Sequence, residues 1–196
     1  MSHDTLLAFL FFAFATSVTP GPVNILLMSS GVNHGFRRSL PHLWGVSIGF
    51  AVVLLSTGLG LHELFARYPQ IYLVMKWGSV AYFGWFAWKL ASAPVGVMDV
   101  GKLRAWRFHE GMALPFLNPK AWLMAAAAFS SYVPVNSSPV LVSTMALVFA
   151  LIALPCFVIW VLFGSRLREY LAQGQRRRVF NIGMAILLLV SLLMLF

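Results

Sequence analysis

Lys120 stands inside an otherwise apolar run, directly after Asn118 and Pro119. A cation near the centre of a bilayer costs at least about 2.5 to 3.5 kcal/mol and is normally kept for a partner or a pathway. Its natural ligand is a carboxylate, which makes Lys120 the first candidate for holding the anionic end of a substrate. Asn118, and Asn24 in an earlier run, carry both donors and acceptors. Each suits a substrate's amino group or carbonyls released by a helix break, and residue type alone does not choose between the two. Pro20-Gly21-Pro22 and Asn118-Pro119-Lys120 both read as such breaks, because proline removes a backbone donor and glycine adds freedom. Backbone N–H groups opening a half-helix after Pro22 or Pro119 would assist Lys120 with a carboxylate.

The elements that must carry these residues follow from composition. Of 196 residues, 60% are hydrophobic and 10% charged, with a mean hydropathy of +0.84; soluble domains carry about 25% charged residues. The chain therefore reads as an all-α polytopic membrane protein with no room for a soluble catalytic domain. The net charge of +9 lies in small clusters between apolar runs, the pattern of membrane-protein loops, so no nucleic-acid partner is expected. Cys156 is the single cysteine and reads as a packing residue. No cofactor motif, metal-ligand cluster, paired carboxylates or nucleophile–base pair stands out, so an enzyme is not expected.

Charge-free or nearly charge-free runs cover Thr5 to Asn33, Ser39 to His62, Tyr68 to Trp88, Gly111 to Val133, Val140 to Phe163 and, shorter, Val179 to Phe196. About 20 apolar residues cross a bilayer, so six spans are expected. Met1-Ser2-His3-Asp4 lacks the positive start of a secretory signal, so the first run should stay in place. The polar stretch Lys89 to Glu110 is the longest loop. It divides the chain into a first three-helix unit, 1–90, a linker, 91–110, and a second three-helix unit, 111–196, all in one membrane domain. Three helices per unit make these inverted-topology repeats, each opening on a broken helix.

A rise of about 1.5 Å per residue puts Pro20 roughly 22 Å from Thr5 and Lys120 roughly 13 Å from Gly111, both in the central zone of the bilayer. Pro41 reads as a helix-start proline and Pro155 as structural. Eleven of the 14 Lys and Arg fall after spans one, three and five: Arg37 and Arg38; Lys89, Lys102, Arg104 and Arg107; Arg166, Arg168, Arg176, Arg177 and Arg178. Positive loops stay cytoplasmic, so both termini are expected outside.

Thr19-Pro20-Gly21-Pro22, His34-Gly35-Phe36-Arg37-Arg38, Gly45-Val46-Ser47-Ile48-Gly49 and Phe116-Leu117-Asn118-Pro119-Lys120 together resemble the LysE/RhtB family of amino-acid exporters. The similarity covers essentially the whole chain. It implies a bacterial inner-membrane efflux carrier for amino acids or close derivatives, driven by the proton-motive force. The stretch His34 to Phe50 looks most like the branch exporting cysteine and O-acetylserine, and threonine, homoserine and leucine exporters are also similar.

No Asp or Glu falls inside a span so bounded, and a proton-coupled carrier must then move its proton on another group. His42, an imidazole at the start of span two, and Lys120 are the candidates; Asp4 and Glu63 stand at the outer edge as candidate gates. Lys76 reads as a snorkelling side chain. Gly31 to Gly35, Gly45 to Gly49 and Ala125 to Ala128 read as close-packing positions, with Gly45 and Gly49 also able to form a homodimer seam. Trp77, Trp85, Trp88, Trp106, Tyr68 and Tyr170 read as interfacial belts. A cation or metal exporter and a channel-like protein are the alternative functions.

Overall fold

The computed structural model describes residues 2–61, 69–92, 105–134, 137–171 and 174–193, all helical apart from short connections. Glu63, Arg67, Tyr68, Pro94, Gly96, Asp99, Gly101, Lys102 and Arg104, and with them most of the expected linker, lie outside the described residues.

α1 (His3–Val18) starts on a Ser2 cap whose hydroxyl accepts from Thr5 N. Phe9, Ala13 and Ser17, four residues apart, form its buried stripe. The helix ends where Pro20 and Pro22 withdraw two donors, and α2 (Pro22–His34) continues at a bend of 55°. α2 is buried on nearly every side and is the central element. Gly35 takes φ 75, a conformation that glycine adopts without a Cβ penalty, and turns the chain into α3 (Phe36–Ser56). α3 runs into a wide π-type turn, Thr57–Leu61, with Gly60 at φ 110.

α4 (Pro69–Ala91) follows, then α5 (Phe108–Leu117), whose end at Asn118 is the second break, and α6 (Pro119–Tyr132). α7 (Pro139–Tyr170) has 32 residues and α8 (Gly174–Leu193) has 20. By length and apolarity Phe36–Gly60 and Pro139–Tyr170 each suffice to cross a membrane. The bent pair α1–α2 makes a third such span, and Arg178–Leu192 is a shorter apolar helix. Among the described residues there is no strand, and the apolar helices are those of a helical membrane protein.

The closest packing crosses between the two ends of the sequence. α3 lies along α5, and α2 along α7, at backbone-to-backbone distance. A Cβ added at Gly45 would lie 2.1 Å from Phe108 O, and one at Gly49 2.4 Å from Met112 O; from the other side, a Cβ at Gly111 would lie 2.4 Å from His42 O. In the second crossing, a Cβ at Gly31 would lie 2.3 Å from Val161 O and one at Gly164 2.1 Å from Met28 O. Where lipid removes the hydrophobic drive, helices associate by close van der Waals packing, and small residues let their backbones meet. Gly45 and Gly49 are thus spent inside the chain, which corrects their reading as a seam between copies. Ala125, Ala128 and Cys156 are buried, as packing residues should be.

Several local expectations need correction. α7 runs on to Tyr170 and α8 starts at Gly174, so Arg166, Arg168, Arg176 and Arg178 are helical rather than in a loop. Charge ends a membrane span, but no proline or glycine there ends the helix itself. Pro41 is in the interior of α3, not at its start. α5 begins at Phe108, which brings Glu110 into its first turn, where Oε2 accepts from Arg107 N at 2.7 Å. Trp106 is half-buried; it stacks on His42 with centroids 5.1 Å apart and leans on Phe86. Trp77, Trp85, Trp88 and Tyr170 are exposed, and Lys76 is half-buried.

Candidate functional site

The two breaks meet. A small pocket has Thr16, Ser17, Gly21 and Asn24 of the first break in its wall together with Asn118 and Lys120 of the second. Its apolar wall is Val23, Phe50, Pro115, Ala121, Met124 and Phe157. Phe50 of α3 and Phe157 of α7 meet edge to face, 5.8 Å between centroids. An apolar pocket with a few converging polar groups is the usual form of a small-molecule site.

Lys120 reaches across from α6 to the end of α1, where Nζ donates to Thr19 O at 3.2 Å and Pro20 O at 3.4 Å. Gly21 gives it room: a Cβ there would lie 3.2 Å from both Cδ and Nζ. Asn24 Nδ2 donates to Ser17 O and Thr19 O, each at 2.9 Å. Asn24 thus serves the carbonyls that the break releases. Asn118 caps α6, its Oδ1 accepting from Lys120 N at 3.2 Å.

The breaks are finished differently. Pro119 follows a side-chain cap, whereas Pro22 follows Gly21, which has no side chain to cap α2. The Val23 and Asn24 N–H groups, among the first of α2, have no intrahelical partner. Of the two half-helix starts, the one after Pro22 is therefore the open one. Ser17 Oγ is buried with no hydrogen-bond partner, another polar atom of the wall without an assignment.

Of the residues singled out from the sequence, Lys120, Asn118, Asn24 and Gly21 come together, and Pro20, Pro22 and Pro119 frame them. His42 does not join them. It is fully buried rather than interfacial, because α5 crosses directly over it at Gly111, and neither ring nitrogen has a hydrogen-bond partner. Thr16, Ser17 and Pro115 had a signal available, as polar or helix-breaking residues within four positions of a break. Phe50 and Phe157 had none.

The roles of the two asparagines separate in stability. Asn24→Leu leaves Ser17 O without its donor, while Thr19 O keeps Lys120 Nζ, and an unsatisfied buried group costs about 1 to 3 kcal/mol. Asn118→Ala removes one helix cap, typically about 1 kcal/mol. Thermal unfolding in detergent should rank Asn24→Leu as clearly the more damaging; the reverse order would overturn this account of the breaks.

Sequence comparison decides the family. The profile described as LysE type translocator matches residues 14–195. This chain belongs to the LysE-type translocator family. The resemblance carried by its break motifs is thereby borne out. Among curated relatives of this LysE-type translocator are two proteins named cysteine/O-acetylserine efflux protein, both 33% identical. One, from Escherichia coli O139:H28, aligns over 190 residues, 96% of each chain. The other, from Escherichia coli K12, aligns over 189 residues, 96% of this chain and 95% of its own. No solved structure matches.

Proposed function

We propose that this translocator exports small neutral amino acids of the cysteine and O-acetylserine kind across the bacterial inner membrane. It works by alternating access of two inverted three-helix repeats, 1–90 and 111–196, joined by 91–110, around the pocket at the two breaks. The observation that carries the reading is the convergence of both broken helices on one pocket, with Lys120 tied to the opposite break. Broken helices in corresponding positions are where transporters of this build hold their substrates.

The packing supports two units related by a swap, since the long middle helices α3 and α7 each lie on the broken helix of the other unit. Orientation has its own support. Arg168 lies beside the Gly35 corner, within 2.8 Å of where a Cβ would stand, and Trp106, next to Arg107, stacks on His42 in the second turn of α3. Arg168 and the neighbourhood of Arg107 thus lie at the end of the bundle that carries Arg37 and Arg38. That is the cytoplasmic end by the positive-inside rule, which puts both termini outside.

Export is coupled to protons, with Lys120 at the pocket and the buried His42 as the groups to carry them. Cells expressing the chain, loaded with peptides as amino-acid sources, should release a small set of neutral amino acids that empty-vector cells retain. An uncoupler should stop the release. Release unaffected by the uncoupler would remove proton coupling, and profiles identical to the vector control would remove amino-acid export.

A further inference from the structure

The contact of Lys120 with the first break has a chemical meaning beyond helix capping. Thr19 O and Pro20 O, which accept from Nζ, close the C-terminal end of α1. That is the negative end of the helix dipole. Ser17 O belongs to the same end and shares Asn24 Nδ2 with Thr19 O. The chain therefore fills an array of carbonyls with its own N–H groups, and one of the donors is a primary ammonium. On the other side of Gly21, α2 opens with uncapped N–H groups at the positive end of its dipole.

A single break thus presents a negative and a positive helix end a few residues apart. A free amino acid has the matching pattern, an ammonium and a carboxylate separated by one carbon. No Asp or Glu is in the pocket wall among the described residues, so carbonyls are the acceptors it offers to a cation.

We propose that the paired carbonyls of Thr19 and Pro20, at the end of α1 where Asn24 already holds Ser17 O, are the subsite for the substrate's α-ammonium group. Lys120 occupies it in the empty protein as a tethered surrogate, which the substrate displaces. The inference rests on the amino-acid exporter reading and adds the exchange to it. On displacement the Lys120 ammonium turns to the arriving carboxylate, which the Val23 and Asn24 N–H groups also meet. The negative end of α1 keeps a cation throughout, and the cation changes owner.

Two measurements test this. In Lys120→Ala the subsite loses its surrogate, so ethylammonium chloride should raise the thermal midpoint in detergent in a saturable way. Tetramethylammonium chloride, a cation without N–H donors, should not, and neither salt should affect the unsubstituted protein in this way. Equal effects of the two cations on the variant would overturn the proposal. In the unsubstituted protein, O-acetylserine and its isomer N-acetylserine differ in whether an ammonium exists.

Calorimetry below neutral pH, where acyl transfer between oxygen and nitrogen is slow, should detect O-acetylserine and show at least tenfold weaker binding of N-acetylserine. Equal binding of the isomers sinks the ammonium subsite while leaving export standing. If neither isomer binds, and the cell assay shows no amino-acid release, the exporter reading fails and the inference with it. The isomer comparison decides even if Lys120→Ala does not fold.

Discussion

Lys120→Met should abolish most export while leaving a folded protein. Methionine keeps the length and apolar stem of lysine, and it relieves the cost of a cation in the membrane, about 2.5 kcal/mol or more. The loss of Nζ frees Thr19 O and Pro20 O, but Asn24 still serves Thr19 O. The substrate is affected more. A hydrogen bond to a charged group contributes about 1.5 to 3 kcal/mol, so export at subsaturating substrate should fall roughly ten- to a hundredfold. The check is initial release from loaded cells at matched membrane abundance, with monodispersity in detergent as the folding control. Export at the unsubstituted rate would remove Lys120 from the site.

Valine at Gly45 or Gly164 should have the opposite profile, with no folded protein recovered. A Cβ at Gly45 would stand 2.1 Å from Phe108 O and 2.8 Å from Met112 N; at Gly164 it would stand 2.1 Å from Met28 O. These neighbours are backbone, so relief requires two helices to separate along their length. Overpacking commonly costs about 1 to 3 kcal/mol, and more where the neighbour is rigid.

Gly78, Gly84 and Gly183 are the controls. Nothing lies within 4 Å of an added Cβ at any of them. Alanine there should be neutral or should stabilise by about 0.5 to 1 kcal/mol, the ordinary gain over glycine in a helix. Yield and elution profile in detergent will separate the two classes. Recovery of well-folded Gly45→Val or Gly164→Val would mean that these crossings are looser than described.

Both breaks are legible in the sequence because proline acts locally. It removes a donor at a known position whatever surrounds it, so Pro20-Gly21-Pro22 and Asn118-Pro119 mark helix ends without reference to the fold. Lys120 is legible for a related reason, since a charge in an apolar run needs a partner. The identity of that partner is not legible, because Thr19 and Pro20 are about 100 residues away and offer backbone oxygens, which every residue has. The aromatic wall is hidden in the same way: Phe50 and Phe157 look like any other phenylalanine until α3 and α7 are packed together. His42 misleads because position in a run suggests an interface, whereas α5 crossing at Gly111 covers it and Trp106 stacks on its ring. The basic clusters near Arg166 and Arg176 mislead because hydropathy reports where lipid ends, and helices continue past that point.

The interlocked glycine crossings also bear on how the protein is made. Synthesis delivers the chain from its N-terminus, and α2 and α3 reach the membrane well before α7 and α5 exist to cover Gly31, Gly45 and Gly49. During that interval the nascent first half sits in the bilayer with its tightest faces against lipid, and neither half has a finished core to fold onto. The α3–α5 crossing can close as soon as α5 is inserted, whereas the α2–α7 crossing closes last. A chain halted before α7 emerges would therefore hold a closed α3–α5 crossing and an α2 whose Gly31 face still meets lipid.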